Sequence, residues 1–355
     1  MSTAEQKVIK VLIVEDSPTV AEFLTQVLNS DPRIQVVGTA FDGQKTLEAV
    51  QRTKPDVIAM DIHMPKLNGF EATRIIMEMC PTPIVIFGGS NGDEVRTNFQ
   101  AIEAGALAVV RRPNGMGHPD HEATAKEFVE TVKLMSEVKV VRRWPRISRV
   151  QADSHTGAVL AVPRNGSSIK AVAMGASTGG PLVLQTILRG LPQGLPAPVL
   201  IVQHISPGFV QGFVEWLSSS SGFIVRVPTD DEYLHPGQAY VAPDNFQMGV
   251  RAGNRIYLTK DGRQNGMRPS VSFLFRSVEE TFGSGTVGVL LSGMGRDGVE
   301  ELKRLRDAGG VTIAQDEESC VVPGMPSQAI KTGAAMLVLP PNEIANALRK
   351  ILTKS

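Results

Sequence analysis

The chain has 355 residues, with 36 Lys and Arg balanced by 36 Asp and Glu, a length that suits two domains and a charge that removes the simple electrostatic case for nucleic-acid binding. Two distant cysteines, Cys80 and Cys320, give neither a disulfide framework nor a CxxC metal site. The N-terminal MSTAEQKVIK lacks a signal-peptide core and no apolar run is long enough to span a bilayer, so the expectation is a cytoplasmic protein without membrane insertion.

The first stretch alternates strand and helix signals. Val8–Val14 is an apolar run that stops at Glu15 and Asp16, and a helix pattern opens at Ser17 with Pro18 in its first turn. Further strands are expected at Gln35–Thr39, Asp56–Met60, Pro83–Phe87 and Ala106–Val110. Helices are expected at Gly43–Arg52, Phe70–Met79, Asp93–Glu103 and His121–Val138. Short apolar strands separated by helices predict a parallel sheet covered on both faces. Lys139–Ser168 shows no sustained period and mixes Pro, Gly, Ser and charge, which reads as a linker. The boundaries are then 1–138, 139–168 and 169–355.

Alternation resumes with strands expected at Ile169–Met174, Val199–Val202, Ala239–Ala242, Gly288–Leu291 and Val311–Ala314. Helices are expected at Pro181–Leu188, Phe209–Ser218, Val271–Thr281, Gly298–Ala308 and Asn342–Leu352. The second half is again α/β, doubly wound and mainly parallel.

In such sheets ligands bind beyond the carboxyl ends of the strands. Glu15, Asp16 and Asp61 all sit at such ends. Three converging carboxylates suit Mg2+, two to hold the metal while the third attacks phosphorus. The plainer alternative is three solvated loop carboxylates, which matching strand ends make less attractive. VLIVEDSPTV and the D-x-x-M-P-x-x-x-G element from Asp61 to Gly69 resemble the receiver domain of two-component response regulators. The resemblance implies a flavodoxin-like five-stranded fold, phosphorylation at Asp61 by a histidine kinase, and Mg2+ held by Glu15, Asp16 and Asp61. Two positions depart from that family. Gly88 stands where it carries a Ser or Thr hydroxyl, and Arg112 where it carries Lys. A planar guanidinium is not a point ammonium, so the phosphorylation switch is expected to be weak or rewired.

In the second half, Gly175–Gly180 (GASTGG) follows an apolar strand and precedes a helix. Small residues around Ser177 allow a sharp turn and close approach of a carbonyl, and helix-start amides favour a developing anion. Such a turn also suits a phosphate. His204 ends the next apolar run, VLIVQ, on the same rim if the strands are parallel. It is a candidate base, against the alternative of a packed or capping histidine. Asp297 follows VGVLLSGMGR and is a candidate to orient the imidazole, or an N-cap, or both. The order Ser, His, Asp differs from that of common α/β-hydrolases.

GASTGGP, VQHIS, YVAP, MRPSVSFLFRSV, LLSGMGRDG and GMPSQAI together resemble the chemotaxis receptor methylesterases of the CheB family, whose domain order this chain shares. The resemblance implies Ser177 as nucleophile, His204 as base and Asp297 as its partner. By the same resemblance Met294 would help form the oxyanion site, largely through its N–H, and Thr178 would line it. It implies glutamate γ-methyl esters on methyl-accepting chemoreceptors as substrate, glutamine amides as a second one, and no cofactor for the ester step. The alternatives are a catalytically weak chemosensory scaffold that binds receptor or kinase, and a general small-ester hydrolase. A nucleotide-binding protein fits less well, since G-x-G-x-x-G and the P-loop Lys are missing.

Overall fold

The computed structural model describes residues 8–89, 92–138, 140 and 168–353, with only the backbone of 92–96 included. The expected linker falls outside the described residues except for Val140 and Ser168. The chain divides into two units, Met1–Val150 and Gln151–Ser355.

The first unit runs β1 (Ile9–Val14), α1 (Pro18–Asn29), β2 (Ile34–Ala40), α2 (Gly43–Thr53), β3 (Val57–Asp61), α3 (Gly69–Met79), β4 (Ile84–Gly88), α4 (Gly92–Ala104), β5 (Ala108–Arg111) and α5 (His121–Ser136). Its five strands are parallel in the order β2-β1-β3-β4-β5. Helix starts follow local chemistry. Asp42 accepts the Lys45 amide at 2.8 Å to open α2, and Asn68 accepts the Glu71 amide at 2.9 Å to open α3. Gly69 is fixed by contact: a Cβ there would lie 2.3 Å from the Asp61 carbonyl oxygen. The strand order reverses at β1 and β3, which opens a crevice at their carboxyl ends. Glu15 and Asp16 follow β1 and Asp61 ends β3 at that crevice.

The second unit begins with β6 (Ala171–Ala176), α6 (Gly180–Arg189), β7 (Val199–Gln203), α7 (Val210–Ser221), β8 (Ile224–Arg226) and β9 (Gln238–Val241). It continues with β10 (Gln247–Arg251), β11 (Arg255–Thr259), α8 (Val271–Phe282), β12 (Thr286–Leu290) and α9 (Val299–Asp307), and ends with β13 (Val311–Gln315), α10 (Gly324–Lys331), β14 (Leu337–Leu339) and α11 (Pro341–Thr353). Seven strands form one parallel sheet in the order β14-β13-β12-β6-β7-β9-β8, and β10 pairs with β11 as an antiparallel hairpin. The expected architecture, a five-stranded receiver-type sheet and a doubly wound α/β unit, is the one found.

The core lies between sheet and helices, where buried Val271, Leu274, Phe275 and Val278 of α8 pack with Leu290, Leu302 and Leu305. The seven-stranded order reverses around β6, so the crevice of this unit opens where β6 parts from its neighbours.

Four strands and one helix go beyond the sequence reading. β8 and β14 have three residues each, too few for a period to register, and they lie at the sheet edges. β10 and β11 form a hairpin around Gly253, outside the α/β alternation. α10 carries Pro326 in its first turn, where a missing N–H is tolerated. No described helix is long and apolar enough to cross a membrane.

Candidate active site

Parallel register brings the candidate residues of the second unit together. Ala176 of β6 pairs with Gln203 of β7, so Ser177 and His204 leave adjacent strands at the same level, about 5 Å apart in backbone. Gly175 pairs with Leu290 of β12, whose following loop carries Asp297.

The turn at Ser177 is held from three sides. Its N–H donates to the Ser292 carbonyl at 2.9 Å, and its carbonyl accepts from the Gly180 amide and from Gln203 Nε2, each at 2.8 Å. Gly179, at φ +80°, closes the turn; a Cβ there would lie 2.6 Å from Val321 Cβ and 2.8 Å from Ser292 Oγ. Among the described residues neither the Thr178 nor the Met294 amide donates to another backbone group. Thr178 is half-buried beside Ser177, and the Met294 side chain is exposed. Gly293 packs directly on the serine, since a Cβ on it would sit 2.6 Å from Ser177 Cβ. Thr178 follows the serine and Met294 follows its packing partner Gly293, so both residues next to this contact keep an amide without a backbone acceptor.

His204 Nε2 lies 3.0 Å from Asp297 Oδ2, and the imidazole side chain is 10% exposed. A proton on Nε2 donated to the carboxylate leaves Nδ1 with the free lone pair. Nδ1 is buried and has no hydrogen-bond partner, and Ser177 Oγ makes no hydrogen bond either among the described residues. The expected unbroken Ser–His–Asp chain is thus closed between His204 and Asp297 and open between Ser177 and His204. Such bonds are often long without substrate and close when it binds.

Asp297 is buried and saturated. Oδ1 accepts from Ser270 Oγ at 2.8 Å, the Ser272 amide at 3.1 Å and Asn265 Nδ2 at 3.2 Å. Oδ2 accepts from the Val271 amide at 2.7 Å as well as from His204. Burial alone pushes this carboxyl up, but His204, the Val271 amide and the Ser270 hydroxyl overcome it and hold the carboxyl well below the usual carboxylate range. The capping role anticipated for Asp297 exists, though on a different helix. It binds the first amides of α8, while its own helix α9 starts from Gly298 with no side-chain cap.

Three supporting residues escaped the sequence reading. Gln203 Nε2 bridges the Ser177 and His204 carbonyls, each at 2.8 Å. Asn265 and Ser270 reach Asp297 from a loop and a helix start far away in sequence. Ser292 ties two loops together: its Oγ donates to the Thr178 carbonyl at 2.7 Å and accepts the Val322 amide at 3.1 Å. Arg296 is exposed.

In the first unit Glu15, Asp16 and Asp61 present carboxylate oxygens within 4.8 Å of one another. Arg112 Nη2 stands 2.7 Å from Asp61 Oδ2 and 3.4 Å from Glu15 Oε2, with its guanidinium 5.6 Å from the centre of the Phe87 ring. Burial pushes the Glu15 carboxyl up to about 7; Arg112 opposes this and Asp61 adds to it. Glu15 Oε2 is buried without a hydrogen-bond donor. Three convergent carboxylates, one with a buried oxygen that no hydrogen bond engages, are a donor set that fits a hard divalent cation such as Mg2+.

The chain's relatives agree with this division. Residues 172–348 match the CheB methylesterase family and residues 11–118 the response regulator receiver domain. A protein-glutamate methylesterase/protein-glutamine glutaminase of Nitrosospira multiformis is 53% identical over 347 residues, covering 98% of each chain. One of Geobacter metallireducens is 54% identical over 345 residues, covering 97% of this chain and 99% of its own. The CheB methylesterase catalytic domain of Thermotoga maritima superposes with a TM-score of 0.51 at 39% identity, over 52% of this chain and all of that domain. Two crevices on two parallel sheets, one acidic and one centred on Ser177, thus belong to a chain of the protein-glutamate methylesterase/protein-glutamine glutaminase family, a receiver domain followed by a CheB methylesterase domain.

Proposed function

We propose that this enzyme hydrolyses glutamate γ-methyl esters on methyl-accepting chemoreceptors through Ser177, His204 and Asp297. The observation that carries the reading is the His204–Asp297 hydrogen bond, 3.0 Å, at the strand end beside Ser177. His204 Nδ1 takes the hydroxyl proton as Ser177 Oγ attacks the ester carbonyl carbon. The Thr178 and Met294 amides hold the oxyanion. Collapse expels the methoxy group, which leaves as methanol with the proton from His204. Water, deprotonated in turn by His204, then releases glutamate from the acyl-enzyme. A glutamine side chain follows the same course with ammonia leaving.

Fluorophosphonate labelling followed by peptide mapping tests the assignment. The label is expected on Ser177, with loss of methanol release from a methylated chemoreceptor fragment and strongly reduced labelling in His204→Ala. Label elsewhere, with methanol release intact, ends it. Packing supplies a separate check. Gly293→Ala forces a methyl against Ser177 Cβ and to 2.6 Å from Met325 Sδ. We expect a loss of about 2 kcal/mol in denaturant unfolding and of about 100-fold in turnover, because a displaced nucleophile is poorly aligned.

The receiver regulates this activity by accepting a phosphoryl group on Asp61 from a histidine kinase of the chemosensory system. Mg2+, held by Glu15, Asp16 and Asp61, supplies charge neutralisation for that transfer when bound. Arg112 keeps its guanidinium beside the acceptor oxygen, 2.7 Å away. With Mg2+ and radiolabelled acetyl phosphate the whole chain is expected to incorporate label, and Asp61→Asn to incorporate less than about a tenth as much, the nucleophilic carboxylate being replaced by an amide. Equal labelling of the variant moves the acceptor elsewhere.

A further inference from the structure

Asn98, on α4, is fully buried, and among the described residues neither its Oδ1 nor its Nδ2 has a hydrogen-bond partner. Because both ends are unpaired, an amide flip does not remove the anomaly. Buried polar groups are nearly always satisfied, and an exception calls for an explanation. The location provides one. A Cβ on Gly88 would lie 2.6 Å from Asn98 Nδ2 and 3.1 Å from Oδ1. The amide therefore fills the volume that a side chain at position 88 would take. Gly88 itself follows Phe87, the register partner of Asp61, and its carbonyl accepts the Arg112 amide at 2.9 Å. Two further atoms of the residues around Asp61 are buried without a hydrogen-bond partner, Arg112 Nε and Glu15 Oε2, the latter 3.4 Å from Arg112 Nη2. Two donors and a carboxylate oxygen without hydrogen-bond partners complement a phosphoryl group together with a divalent cation.

We propose that Asn98 is the hydrogen-bond donor that reads the phosphoryl group on Asp61, standing in for a hydroxyl that Gly88 cannot supply. The proposal rests on Asp61 being the phospho-acceptor. Gly88 and Asn98 form a matched pair: the missing side chain makes room for the amide, and the amide excludes a side chain. Nδ2 donates to a phosphoryl oxygen, and this bond couples acceptor chemistry to α4. Asn98 is a positioning residue, and its loss leaves the transfer to Asp61 intact while breaking the coupling.

The test is the rise in melting temperature of the full chain's receiver transition on adding Mg2+ and beryllium fluoride, a tetrahedral stand-in for the phosphoryl group. Asn98→Ala, and Asn98→Leu which keeps the branched heavy-atom outline without a donor, are expected to lose more than half of the wild-type rise. Their unliganded melting temperatures are read alongside, because a merely structural role lowers those and leaves the rise unchanged. The pair Gly88→Ser with Asn98→Ala returns a hydroxyl and opens its space, and regains the rise. Both single variants keeping the full rise overturns the proposal alone. A wild-type chain with no rise, or one equally large in Asp61→Asn, removes the phospho-acceptor assignment and the proposal with it.

Discussion

Ser177→Ala is expected to lower methanol release from a methylated chemoreceptor by about 10^4- to 10^6-fold, with a change in unfolding free energy within about 1 kcal/mol. The two numbers separate chemistry from architecture. Everything that fixes the turn runs through the backbone of Ser177: its amide to the Ser292 carbonyl, and its carbonyl to Gly180 and Gln203. Oγ makes no hydrogen bond among the described residues, so its removal orphans no partner. Loss of one oxygen then removes the acyl-enzyme route and little else. Substrate binding is expected to persist, with KM changed by no more than a few-fold, since the flanking amides remain to hold the carbonyl. Receptor demethylation assayed by methanol release, beside urea denaturation of the same preparations, gives both values. A variant that retains a tenth of the activity removes Ser177 as the nucleophile.

Four of the residues that sequence alone exposes share one property: each lies at the carboxyl end of a buried strand. Glu15, Asp61, Ser177 and His204 all end or follow strands, and parallel register brings such residues to one rim. That inference needs no knowledge of side-chain packing. The cradle of Asp297 does. Asn265, Ser270 and Ser272 lie 32, 27 and 25 residues from it, and they meet it because α8 aims its first turn at the loop after β12. Nothing in local spacing announces that approach. Ser292 differs again, since it lies within the Asp297 loop, yet its contacts with Thr178 and Val322 appear only when β12 is beside β6. Gly88 was visible as a departure, whereas Asn98 was not. One polar residue in a helix pattern reads as solvent-facing until packing shows it buried. Edge strands β8 and β14 fail for a simpler reason, because three residues carry no period.

Asp297→Ala is expected to cost both activity and stability, in contrast to Ser177→Ala. Turnover should fall by about 10^4-fold, because without the carboxylate the imidazole loses the partner that fixes its tautomer. Stability should fall by about 3–5 kcal/mol, the range for removing one member of a buried charged network. Val271 and Ser272 amides, the Ser270 hydroxyl and the Asn265 amide all lose their acceptor at once. Asp297→Asn keeps the shape but not the charge, so it separates the two effects: activity falls nearly as far, while stability recovers in part. The same carboxylate shapes the acid limb of stability. Its pKa in the folded chain lies below the ordinary value of about 3.9, so the stabilisation is complete above that pH and drains away as the pH falls further. Unfolding free energies measured between pH 6 and pH 3 are therefore expected to drop more steeply for the wild type than for Asp297→Asn. Parallel slopes would show that the carboxylate is not held by this hydrogen-bond cradle, which fixes the partner of His204 Nε2 and leaves Nδ1 without one, as the proposed proton transfer requires.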